Sequence, residues 1–332
     1  MAAPGCYCRP VAPGGKSMAL RSRTLARLVL LVLLPCLAVR PATAGDARFE
    51  SWWRDGRAEL DGYRLKIQRY GHERTGRAVA IYVTEPFSRS KHVKLDDPSR
   101  AGRDAMGVMK LNLVRDFQTG IYDYHTIISL FVDDAGFAPV KVAFSSSEWC
   151  GQVYEELNFG GTGIRQRVAS YFEGESAERL LAIPRDGIEE DALFVKLRGL
   201  SGAPLLLPGT KRTFPFLASP FYRRLAHRPS QWTTVTIERA ARPERVVVPA
   251  GTFDVDVYVV RPGDGREGRI DVERAYPRRI VRWSWRAAPG GPPLGGTDAA
   301  ELTGSRRLDY WRAHDPGDEK ELRELGVAPG VH

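Results

Sequence analysis

The stretch Val108–Val132, VMKLNLVRDFQTGIYDYHTIISLFV, decides the fold. Val108 to Asp116 reads as one strand, Gln118-Thr119-Gly120 as a turn, and Ile121 to Val132 as the strand that runs back. On the return strand Tyr122, Tyr124, Thr126, Ile128 and Leu130 fall on one face, because successive side chains in a strand point to opposite sides. Period-two patterning joined by a glycine turn is the mark of an antiparallel hairpin.

The same rhythm extends in both directions. Upstream, Tyr63, Leu65 and Ile67 alternate with Arg64, Lys66 and Gln68, and Val79, Ile81 and Val83 repeat the period across a hairpin-sized link at Gly71 to Gly76. Before them, Ala47 to Trp53 groups Phe49, Trp52 and Trp53 as a helical turn lying on the body. Residues 86 to 105 read as a polar, basic loop. Downstream, strands are expected at Val140–Ser145, Gly151–Phe159 and Arg165–Glu173, divided by glycine-bearing turns. A helix is expected over Ile188–Arg198, with acidic residues in its first turn, basic ones in its last and Gly199 to end it. Strands resume at Lys211–Leu217, Gln231–Arg239, Glu244–Val248, Asp254–Arg261, Gly268–Glu273, Arg278–Ala287 and Ala300–Leu308, with a loop at Ala288–Thr297 and a short helix over Glu319–Leu325. There is no βαβ rhythm and no solenoid or propeller repeat. The expected class is mainly β: one large curved antiparallel sheet, an open half-barrel, or else two packed sheets, with two or three short helices. The body spans 45–315, as one unit or as halves 45–200 and 201–315, and 316–332 forms a short helix and tail.

The start of the chain has the three parts of a secretory signal. Arg21, Arg23 and Arg27 precede a 12-residue apolar run, Leu28–Val39, and Ala42-Thr43-Ala44 supplies a small-x-small cleavage site. A bilayer-spanning helix needs about 20 apolar residues, and Pro35 interrupts this run. The expectation is therefore cleavage after Ala44, translation from Met18, and a periplasmic or secreted product. Lipid anchoring at Cys36 is disfavoured, because Pro35 stands where a lipidation box wants a small residue. Nothing later is long and apolar enough to cross a membrane.

Removing residues 1–44 takes away six basic side chains and no acidic one, so 43 Lys+Arg remain against 40 Asp+Glu, a net charge of +3 rather than +9. The basic character of the whole chain thus belongs mostly to the signal, and nucleic-acid binding loses its support. Cys6, Cys8 and Cys36 leave too. Cys150 alone remains, and a single cysteine makes no internal disulfide.

The C-terminal third carries Val248-Pro249-Ala250-Gly251-Thr252-Phe253 between strands, then Ala275-Tyr276-Pro277-Arg278-Arg279-Ile280-Val281-Arg282-Trp283 and Ala300-Glu301-Leu302. This resembles the VPAGTF-containing β-domains of exported bacterial proteins, such as the DUF3108-like group. The resemblance implies an open half-barrel related in shape to periplasmic lipoprotein carriers. Through residues 52–63, 108–124, 144–151 and the VPAGTF half, the whole chain is similar to a family of uncharacterised exported bacterial proteins. Some of these carry the label septum formation inhibitor Maf. Maf nucleotide pyrophosphatases are cytosolic α/β enzymes with an N-terminal Ser-x-Arg-Arg site, and this sequence has neither feature.

Candidate chemistry is sparse. Cys150, in Ser145-Ser146-Ser147-Glu148-Trp149-Cys150-Gly151, is a nucleophile candidate with His125 as its base; the plainer reading is a core cysteine beside a core tryptophan. His72, His92, His125, His227 and His314 have no metal-ligand spacing, and Asp96-Asp97 and Asp133-Asp134 read as solvated turns, so no metal or cofactor is expected. Glu189-Glu190-Asp191 resembles an acid–base cluster but sits where a helix N-terminus favours negative charge. Gly160-Gly161-Thr162-Gly163 and Gly263-Asp264-Gly265 read as hairpin turns. Tyr122, Tyr124, Trp149 and Tyr154, with Phe159 nearby, offer a ligand-binding face if the sheet is open and concave. The alternative is that these rings fill the core. The leading expectation is a non-enzymatic envelope protein that binds a hydrophobic or amphipathic partner: lipid, lipoprotein or an outer-membrane protein in transit. An exported hydrolase using Cys150 and a structural assembly module are the rivals.

Overall fold

The computed structural model describes residues 44–200, 202, 204–288 and 298–329. The export signal, the Met18 start, Cys6, Cys8, Cys36 and nearly all of the expected 288–297 loop lie outside the described residues. Helix α1 (Ala44–Trp53) leads into eight strands, each antiparallel to the one before: β1 (Ala58–Arg69), β2 (His72–Ser88), β3 (Ala105–Thr119), β4 (Tyr122–Asp133), β5 (Pro139–Glu148), β6 (Gly151–Gly160), β7 (Gly163–Ser170) and β8 (Ala177–Leu181). A two-residue strand β9 (Ile188–Glu189), a 3-10 turn at Glu190–Ala192 and the one-turn helix α2 (Leu193–Lys196) follow. The second half comprises β10 (Lys211–Leu217), α3 (Pro220–Leu225), β11 (Trp232–Arg239), β12 (Glu244–Val248), β13 (Gly251–Pro262), β14 (Arg266–Glu273), β15 (Ile280–Ala287), β16 (Asp298–Leu308) and α4 (Lys320–Glu324).

Strand β16 returns to pair with β1, which merges both halves into one 16-stranded sheet. Its order runs from β8 back to β1, then β16, β15, β14, β13, β11, β10 and β9, with β12 paired to β13. The sheet is open, since β8 and β9 form its two ends and do not pair. Yet these two ends are consecutive in the chain, joined by residues 182–187. So short a connection reaches at most about 25 Å, so the sheet must curl until its edges approach. The indole N–H of Trp232, at the start of β11, donates to the Ala182 carbonyl at 2.9 Å and holds this seam.

Alternation places the core. Tyr63, Leu65, Ile67, Ala78, Ala80, Tyr82, Leu111, Leu113, Ile128 and Leu130 are all buried, while their odd-numbered or even-numbered neighbours face away. The opposite face carries a smaller cluster: Leu325 and Val327 of the C-terminal segment cover Leu60 and Val83. Gly62 makes that approach feasible, because a Cβ there would stand 2.4 Å from the Leu325 carbonyl oxygen.

The inside of the curl is filled by the chain between β8 and β11. Leu193, Phe194, Val195 and Leu197, and then Phe221, Tyr222 and Leu225, join the same core as the sheet residues. This segment differs from its expectation. The helix foreseen over 188–198 shrinks to a 3-10 turn and one α turn, and β8, β9 and α3 were not foreseen. The acidic run does stand at a helix start, with Glu189 as the cap of the 3-10 turn, but it is buried: Glu189, Glu190 and Asp191 are all inside. Glu189 accepts from the Ala192 N–H at 3.1 Å. Glu190 takes both guanidinium arms of Arg266 at 2.9 and 2.7 Å and the Ser219 N–H at 2.9 Å. Long-range partners decide this segment, and they are invisible to a local pattern.

Candidate functional site: the aromatic rim

A meander of consecutive hairpins returns every second turn to the same edge. The turns between β1 and β2, β3 and β4, β5 and β6, and β7 and β8 therefore share one rim. Each tip presents a large apolar side chain to solvent: Tyr70 is 57% exposed, Ile121 69%, Trp149 63% and Tyr171 68%. Polar, glycine-rich tips would have served the turns equally well, so these side chains are not a requirement of the fold. An unpaired row of such groups marks an interaction surface rather than a folding feature.

The tips touch one another. Tyr122 lies 5.9 Å from Trp149, ring centre to ring centre, and Tyr171 stands edge-on to Phe172 at 5.3 Å. Gly151 allows the Tyr171 ring to lie against the β5–β6 tip, since a Cβ there would meet that ring at 2.4 Å. Behind the row, Tyr124 is buried, stacks on Phe117 at 4.7 Å and shares a 2.9 Å hydrogen bond between its hydroxyl and that of Tyr70. Burial, with Glu148 and Tyr70 as neighbours, raises the Tyr124 phenol well above its usual range, so it stays neutral. The Arg69 guanidinium covers the Tyr70 ring at 4.4 Å and donates to the Leu225 carbonyl, and Arg224 covers Phe172 at 4.0 Å. These cation–π contacts hold the rings upright at the edge.

The four residues expected to form a ligand face divide accordingly. Trp149 stands on the rim with half-buried Tyr122 against it, and Tyr124 supports them from the core. Tyr154 is apart: it lies on the other face of β6 from buried Val153 and Glu155, where its hydroxyl donates to Glu156 at 2.8 Å. Phe159 packs against the core at the far end of the same strand. Tyr70, Ile121 and Tyr171 complete the rim: the sequence pattern runs strands through Ile121 and Tyr171, but β4 begins at Tyr122 and β7 ends at Ser170, which leaves both side chains in turns, as Tyr70 is.

Cys150 is exposed in the β5–β6 turn and is not a core cysteine. His125 faces away from the core, in a groove of about 860 Å³ lined also by Arg77, Asp116, Ser147 and Trp149. Its Nδ1 lies 2.6 Å from Asp116, whose other oxygen accepts from the Arg77 Nε at 2.9 Å. Asp116, His125 and Ser147 are register partners on three adjacent strands, but no hydrogen bond joins His125 to Ser147 or to Cys150. Asp116 is thus shared between the Arg77 guanidinium and the His125 ring, and the arrangement serves as a cross-strand polar cluster. No cluster of three or more metal-ligating side chains occurs among the described residues.

Set against protein-family models, curated proteins and solved structures, the chain matches none.

Beneath the rim the interior is ionic to an unusual degree. Arg198, fully buried, donates to Glu59 at 2.6 Å and to the Pro277 and Arg278 carbonyls at 2.9 Å, and it covers the Tyr82 ring at 4.3 Å. Asp61 lies beside this pair with neither carboxylate oxygen hydrogen-bonded. Burial first, and the Glu59 charge second, push the Asp61 carboxyl up to about 8 despite the nearby Arg198. At neutral pH it is held as the uncharged acid, the usual escape for a carboxyl that desolvation would otherwise penalise heavily. No helix of the described residues is long and apolar enough to cross a membrane.

Proposed function

We propose that this chain is an exported envelope protein that binds a lipid surface, without chemistry of its own, through the aromatic rim. The carrying observation is the row Tyr70, Ile121, Trp149 and Tyr171 on four successive hairpin tips. Tryptophan and tyrosine suit the boundary between headgroups and acyl chains, where an apolar ring and a polar N–H or O–H are both satisfied. The tips bear acids as well as bases (Arg69, His72 and Arg74 beside Glu73, Asp123 and Glu173), so insertion of rings rather than bulk charge would drive contact. The signal-like N-terminus supports delivery to an envelope compartment. The concave face is an unsuitable berth for an acyl chain, because the segment between β8 and β11 occupies it.

The test uses protein purified from the envelope fraction, its N-terminus verified by intact mass, sedimented with phosphatidylethanolamine–phosphatidylglycerol vesicles. The wild type is expected to cosediment, and the Trp149→Ala/Tyr171→Ala double variant to bind at least about tenfold more weakly, given roughly 1.5–3 kcal/mol for burying one large apolar side chain. A wild type left in the supernatant, or a double variant that sediments equally well, sinks the reading.

A further inference from the structure

A second cavity lies where the interior segment meets the last strands of the meander. About 270 Å³ in volume, it has a floor of Phe144, Val153, Val168 and Ala177 and walls carrying Arg179, Arg223, Arg224 and Arg228. That space equals roughly nine waters at about 30 Å³ each, enough for a small molecule and too little for a lipid tail.

The charges around it do not cancel. Glu155 is taken up by Arg223 at 2.7 Å and by Gln166 at 2.8 Å. Glu148 is paired with Arg224. Glu175 accepts from the Ser170 hydroxyl at 2.7 Å and lies 2.6 Å from the His227 Nδ1. Against the upward push of burial, those two contacts hold the Glu175 carboxyl below its usual range, so it stays charged. Each carboxylate at the cavity is thus already committed. Arg179 and Arg228, both exposed at the mouth of the cavity, have no ion-pair or side-chain hydrogen-bond partner among the described residues. The Arg224 Nε, on a side chain nine-tenths buried, has none either.

Guanidiniums without counterions above an apolar floor call for a ligand with matching halves. We infer that this cavity binds a small amphipathic carboxylate, its acid gripped by Arg179 and Arg228 with the Arg224 Nε behind, and its short apolar stem on Phe144, Val153 and Val168. Planar guanidinium forks suit such an acid because each can offer two parallel N–H donors. The site goes beyond lipid-surface binding and does not depend on it.

The experiment is titration calorimetry of the purified protein, free of vesicles, with octanoate, octanol and acetate. Octanoate is expected to bind saturably at one site. Octanol should be at least about tenfold weaker for want of one charge-assisted contact, and acetate at least about tenfold weaker for want of the apolar stem. Arg179→Gln/Arg228→Gln should weaken octanoate by about tenfold or more and leave octanol unchanged; both side chains are exposed, so the fold should tolerate the change. Trp149→Ala/Tyr171→Ala should keep full octanoate affinity, which separates failure of the rim from failure of the cavity. No saturable octanoate binding overturns the inference. So does octanol binding as tightly as octanoate (an apolar hole), acetate as tightly as octanoate (a plain anion site), or an unaffected arginine double variant.

Discussion

The rim and the interior of this sheet use the same residue types to opposite ends. At the rim, Tyr70, Trp149 and Tyr171 leave most of their surface in water, and Arg69 lies over the Tyr70 ring. Inside, Tyr82, Trp53 and Trp283 are sealed, and Arg198 and Arg266 are buried with them, paired to Glu59 and Glu190. A buried charge is tolerable only with committed partners, so the interior is specified residue by residue. The rim has no such obligation, and its chemistry is free to answer to a partner. Stability and recognition are thus divided between two zones of one fold.

The sharpest way to break that division is to remove a buried cation. Arg198→Ala strands Glu59 beside Asp61 and leaves the Pro277 and Arg278 carbonyls short of a donor. A loss of about 3–5 kcal/mol is expected in denaturant unfolding, and a loss under ~1 kcal/mol would show that the interior network is not structural.

A gentler probe titrates the same pocket. The Asp61 carboxyl is raised to about 8 in the fold, against 3.8 for an ordinary aspartate. Below the lower value both folded and unfolded chains hold the proton, and the group is neutral to folding. Between the two values only the folded chain keeps it, so stability falls as pH rises, by at most about 1.4 kcal/mol per pH unit, and levels off above the folded value. Asp61→Asn should therefore gain on the wild type steadily from pH 5 to pH 8 in urea midpoints. A constant offset between the two proteins would refute the raised carboxyl.

Rim changes should hardly register in the same assay. Trp149→Ala is expected to cost about 0.5–1 kcal/mol, mostly for the lost contact with Tyr122. An exposed ring with a larger effect would belong to the core and not to a binding edge. Smallest of all is Cys150→Ser: with the thiol in solvent and no hydrogen bond to His125, the unfolding free energy should shift by less than about 0.5 kcal/mol and vesicle binding not at all. A lost activity in that variant would revive the hydrolase reading.

The β class, most strand positions and the hairpin order are legible in the residues, because period-two alternation and glycine turns are local signals that backbone geometry obeys directly. Lys211–Leu217 and Glu244–Val248 are found with the ends expected of them. The sequence also singled out Tyr122, Tyr124 and Trp149, though not which of them meets solvent. Tertiary structure alone decided the rest. Pairing of β16 with β1 made one sheet of two halves, which no pattern within either strand announces. Arg266 reached 76 residues back along the chain to draw Glu190 inward. The rim exists only because the meander brings four turns to one edge, and the side chain at each tip is then judged by its neighbours in space rather than by its neighbours in sequence.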